Sequence, residues 1–84
     1  MNYVVSYANL YENEMRMCEV EAVDRVSALS AGVSLLITGH DTEICDWIAS
    51  LSDNFAYMEE NEQYEHMLSG LFDCEILAGV FKID

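Results

Sequence analysis

The chain has no proline, four glycines and three cations, Arg16, Arg25 and Lys82. Each shortage closes off a class of function. Without proline there is no polyproline segment or proline-rich linker, and no shift of composition divides residues 1–84 into more than one domain. Four scattered glycines supply neither a Walker-type nor a dinucleotide-type loop to cradle a phosphate. Three cations are too few to hold the phosphates of a nucleic acid, because that affinity rests largely on Lys and Arg. The same shortage opposes adhesion to an anionic membrane. Tyr3, Tyr7 and Tyr11 are therefore not read as a stacking platform for bases but as residues packing one sheet face or a dimer contact.

Cysteine and histidine are also sparse. Cys18, Cys45 and Cys74 form no C-x₂-C pair, and His40 and His66 no H-x₃₋₅-H pair, so a zinc site is not expected. The three cysteines lie far apart in apolar surroundings and read as buried free thiols of a reducing cytoplasm. Neither residues 41–53 nor 53–64 carry the glycine and closing glutamate of a calcium-binding loop. No G-x-S-x-G motif occurs, and both histidines read as surface residues, so no enzyme activity and no cofactor are expected. The apolar runs are only a few residues long, and no basic segment precedes one at the N-terminus. Membrane spanning and secretion are not expected.

What the chain does have is apolar residues and acid. Hydrophobic residues make up 52% of it, including five Tyr, three Phe and one Trp. That content separates it from acidic disordered chains, which lack the surface to bury. A domain of this length buries about two-thirds or less of its unfolded surface, so its stability is marginal.

Period-2 alternation of Tyr3, Val5 and Tyr7 marks a strand over 2–10, and the polar 11–14 stretch is a turn. A second strand follows to residue 22, with Arg16, Cys18, Val20 and Ala22 on one face. Asp24 stands as N-cap, with Val23 as its staple, before a helix to about 38 that Gly39 stops; its stripe is Val26, Leu29, Val33 and Leu36. Asp41 or Thr42 caps a second helix with the stripe Ile44, Trp47, Ile48 and Leu51. Residues 52–60 fit either a helix or a connector. Asn61 caps a third helix on the stripe Tyr64, Met67, Leu68 and Leu71, and residues 74–83 form a last strand that Gly79 weakens or bulges. The order ββαααβ predicts a single small α+β domain, an antiparallel sheet packed by helices on one face.

Sixteen Asp and Glu leave a formal charge of −13. Solubility of a small domain calls for a magnitude of roughly 2–8. The excess is self-repulsion that lowers stability. The densest stretch, 58–67, holds Glu59, Glu60, Glu62 and Glu65 and no cation, although like charges three or four apart on a helix repel. Carboxylates on successive helical turns stand about 6 Å apart at a rise of about 1.5 Å per residue, a spacing that permits one such face to enter a groove built for phosphates about 3.4 Å apart.

A short, very acidic chain rich in Tyr and Met, with an opening hairpin followed by "EVEAVDRVSAL", resembles the small proteins that phages and mobile elements encode against host machinery, anti-CRISPR proteins and DNA mimics among them. The resemblance is of size, charge and layout. It implies a stoichiometric inhibitor in the host cytoplasm that blocks a nucleic-acid enzyme by occupying its Lys/Arg-rich surface. The expected contact residues are Asp53, Glu59, Glu60, Glu62 and Glu65, then Glu12 and Glu14. The alternative is an accessory interaction module or homodimer, joined through the tyrosine-rich strand or the terminal strand as an open edge.

Overall fold

The computed structural model of the chain describes residues 1–37, 44, 46–48, 50, 51, 55 and 57–83. Strand β1 (Asn2–Asn9) turns into β2 (Glu14–Glu21), and α1 (Arg25–Leu36) follows. Helical residues 44, 46–48, 50 and 51 belong to α2. Then come α3 (Glu60–Asp73) and β3 (Ile76–Lys82), which completes an α+β domain of order ββαααβ.

The three strands are antiparallel in the order β2-β1-β3. Alternation along β1 sends Tyr3, Val5, Tyr7 and Asn9 to one side, where all four are buried. Their cross-strand partners are Val20, Cys18, Arg16 and Glu14 on β2 and Lys82, Val80, Ala78 and Ile76 on β3. This inner face is the one the helices cover. Leu29 and Val33 of α1, Ile44, Ile48 and Leu51 of α2, and Met67 and Leu71 of α3 complete the core. The predicted helical stripes thus pack where their spacing directed them.

Two glycines let the layers approach. A Cβ on Gly32 would stand 2.5 Å from the Val5 side chain, so α1 lies directly on the sheet at that point. One on Gly70 would fall 2.2 Å from the Trp47 ring, which locks α2 against α3. Asp24 caps α1 as its sequence position predicts, its Oδ1 accepting from Ser27 N at 2.8 Å.

Several expectations are corrected. Val23 is exposed and makes no staple. Asn61 does not cap α3, which begins at Glu60 with Glu59 in the cap position and no side-chain cap hydrogen bond. Gly79 marks no bulge, since the β1–β3 register runs unbroken from Tyr3↔Lys82 to Asn9↔Ile76. Cys74 is exposed beyond the end of α3 rather than buried in a strand, while Cys18 is half-buried on the inner face. Tyr3 and Tyr7 are core residues of the central strand, so the tyrosine-rich strand offers no open edge; β2 and β3 are the edges. In the 52–60 stretch, residues 55 and 57 lie in turns and 58 and 59 are irregular. Gly39, His40, Asp41, Thr42, Cys45 and Asp53 lie outside the described residues.

Candidate protein-binding surface

Arg25 organises the acidic start of α3. From the first residue of α1 its Nε donates to Glu60 Oε1 at 2.9 Å and its Nη2 to Glu60 Oε2 at 3.3 Å, while Nη2 also donates to Asn61 Oδ1. The guanidinium lies 4.3 Å from the centre of the Tyr64 ring. Its pKa is raised above the ordinary arginine value, first by the hydrogen bond to Glu60 and further by that carboxylate's charge, against a lowering from desolvation. Tyr64 Oη in turn accepts from Val80 N at 3.1 Å. One cation therefore fastens α1 to α3, and the tyrosine beneath it fastens α3 to β3.

That anchor answers why four glutamates crowd together. Glu60 has a structural partner, and Glu60 and Glu62 stand in the first helical turn, where the helix dipole favours negative charge. Both terms offset the repulsion between neighbours three and four apart. Glu59, Glu62 and Glu65 remain exposed, and none forms an ion pair among the described residues.

The other two predicted acids sit elsewhere. Glu14 is ion-paired with Arg16, whose Nη1 also donates to Leu36 O at 2.8 Å and so serves the last carbonyls of α1. Glu12 lies in the β1–β2 turn, its N–H bound to the buried Asn9 Oδ1 at 3.0 Å. Leu10 N donates to Glu75 O at 2.8 Å, so that turn adjoins the C-terminal end of α3. Glu59 to Glu62 belong to the opposite end, about 20 Å away along a helix rising about 1.5 Å per residue. Glu59, Glu60, Glu62 and Glu65 thus lie at the start and in the first two turns of α3, Glu60 turned to Arg25 on α1 and Glu65 lining a groove with Leu68, Phe72 and Leu77 toward β3, while Glu12 and Glu14 lie at the other end of the sheet, where the β1–β2 turn adjoins Glu75.

His66 is exposed, its ring edge-on to Phe55 at 6.0 Å. Among the described residues no group of three His, Cys, Asp or Glu is placed to hold a metal ion, and no helix is long and apolar enough to cross a membrane. Comparison with protein-family models, with curated proteins and with solved structures finds no match to this chain.

A second exposed surface lies on the other side of the sheet. Met15 and Met17 of β2 and Leu77 and Phe81 of β3 all face away from the helices, each more than half exposed. Their signal was present in the period-2 pattern, which marks both faces of a strand equally.

Proposed function

We propose that this is a non-catalytic binding protein that uses its surplus carboxylates to occupy a Lys/Arg-lined surface, such as the nucleic-acid-binding surface of a host defence complex or another nucleic-acid enzyme. The observation that carries the reading is how the few cations are spent. Arg16 and Arg25 are engaged within the chain by Glu14 and Glu60, while Glu59, Glu62 and Glu65 present uncompensated charge on one helical end. Such a field steers a basic partner toward the protein and repels polyanions.

Reversing Glu59, Glu62 and Glu65 to Lys leaves the core untouched, since all three are exposed. If each exposed charge is worth about 1 kcal/mol, the triple change weakens a basic partner about a hundredfold or more. The deciding assay is capture from a host lysate near physiological salt, where screening over about 8 Å removes loose attraction. Duplex DNA or RNA should then displace the captured protein. Affinity indifferent both to the triple reversal and to salt would end the proposal.

A further inference from the structure

The sheet has one covered face and one open face, and the open face has a definite chemistry. From the pairing register, its rows read Glu19–Val4–Phe81, Met17–Ser6–Gly79 and Met15–Ala8–Leu77 across β2, β1 and β3, with Glu21 opposite Asn2 at the end. Phe81 folds over Gly79, where an added Cβ would meet its ring atoms at 3.5 and 3.6 Å. The result is an apolar strip whose acids, Glu19 and Glu21, lie together on β2 at one end. No cation shares it: the register puts Arg16 and Lys82 opposite Tyr7 and Tyr3 of the inner face, and Arg25 is on α1. The molecule is only 16 Å through its thinnest direction, as two layers require.

We propose that this open sheet face is a docking site for an amphipathic helix of a basic partner. The inference rests on the reading that the partner is Lys/Arg-rich, and it adds where and how that partner is gripped. Three strands about 4.8 Å apart present a strip about 10 Å wide, the diameter of one helix. Exposed methionines are flexible and polarisable, and such surfaces accept apolar helix faces of varied shape. The charge selects the helix: apolar residues at i, i+3, i+4 and i+7 would lie on the strip, with flanking Lys or Arg meeting Glu19 and Glu21. A second copy is a worse occupant, because it would bring its own Glu19 and Glu21 to the contact and another −13 to the complex.

The open edge of β3 is a weaker candidate than the face. The hydrogen bonds from Leu10 N to Glu75 O and from Ile83 N to Asn2 O set the phase of the β1–β3 ladder, so the N–H of Val80 points away from β1. Tyr64 Oη already takes that donor, and an added strand would have to displace it.

The probe is a synthetic helical peptide of about 15 residues, about four turns or roughly 22 Å at about 1.5 Å per residue, with Leu along one stripe and Lys elsewhere. Its control has the same composition with the leucines spread around the helix. Methionine-methyl NMR near physiological salt reads the contact directly: Met15 and Met17 should shift with the patterned peptide, and buried Met67 should not. The double variant Met17→Glu and Leu77→Glu, at two exposed positions, should lower peptide affinity about tenfold or more. Equal binding of the control peptide, or shifts that spare Met15 and Met17, would overturn the proposal. So would sedimentation showing a dimer with Met15 and Met17 at its contact. Loss of binding in the Glu59, Glu62 and Glu65 reversal but not in the double variant would overturn the docking site while leaving the acidic-surface reading intact.

Discussion

The two faces of one three-stranded sheet carry different chemistry in neighbouring residues of the same strand. Val5 is fully buried against Gly32 of α1, whereas Val4, one residue earlier, looks out between Glu19 and Phe81. Both faces carry large apolar side chains, so hydrophobicity alone does not decide which one the helices cover. On the central strand the inner face has the larger side chains, Tyr3 and Tyr7, and it has the glycine opposite that lets a helix settle. The outer face has Ser6, Ala8 and Gly79 at its centre and glutamates at one end. Stability therefore belongs to one face, and the other is free to be used for contact.

The sharpest test of that division substitutes a leucine on each side. Leu29→Ala removes a fully buried side chain from the helical layer and should cost about 2–5 kcal/mol. In a domain of this length such a loss approaches the whole stability. Leu77→Ala, on the outer face, should change stability by about 0.5 kcal/mol or less. Urea denaturation of the two variants reads the difference, and similar midpoints would mean that the outer face is also part of the packing.

Gly32→Ala tests the same contact from the opposite direction, by adding rather than removing volume. The new methyl would stand 2.5 Å from Val5, in the middle of both a helix and a sheet, where neither can withdraw cheaply. A loss of about 1–3 kcal/mol is expected, against the gain in helix propensity that alanine normally brings. A stabilised variant would show that α1 rides higher above the sheet than described.

Much of this layering was legible before the structure. Asp24 as a cap, the stripes of all three helices and the shared face of Arg16, Cys18 and Val20 follow from spacing, because capping and amphipathicity are local properties. Strand order was not, since alternation assigns faces and says nothing about which strand takes the centre. β1 is central because β3 returns to its free side, a contact between residues more than 60 apart in sequence, as Tyr3↔Lys82 shows. The acidic patch was half legible for the same reason. Glu59 to Glu65 are neighbours on one helix, but the pairing of Glu60 with Arg25 joins two elements, and the fold sends Glu12 and Glu14 to the far end of the sheet. Asn61 looked like a cap because its side chain suits one, yet it accepts from Arg25.

A smaller effect lies at the border of the covered layer. Asp24→Ala removes the acceptor for Ser27 N at the start of α1 and should cost about 1 kcal/mol. Asp24→Asn keeps an acceptor there and should recover most of it. Thermal denaturation of the pair separates the hydrogen bond from the charge. If the two variants lose the same amount, the carboxylate's charge near the helix N-terminus is the larger contribution.

The finest comparison is between two thiols. Cys18 faces the helices, its Sγ lying 3.9 Å from Gly32 O, and burial raises its pKa above the ordinary 9.0. Cys74 is exposed past the end of α3. Since the thiolate is the nucleophile, a thiol that holds its proton behind a helix reacts more slowly than one in water. Maleimide labelling of the native protein, with the modified peptides mapped by mass, should therefore mark Cys74 before Cys18. The same shift carries a sign for stability. A folded-state pKa above the unfolded value means that the native protein binds this proton more tightly, so its contribution is fully present below the unfolded thiol pKa and is lost as pH rises through the folded one. Against Cys18→Ala, the wild type should thus lose relative stability only on the alkaline side, from about pH 9 upward, in urea titrations at successive pH values. A difference between the two proteins that stays constant through that range, together with equal labelling rates, would place Cys18 in the solvent and move the border of the covered face inward by one strand.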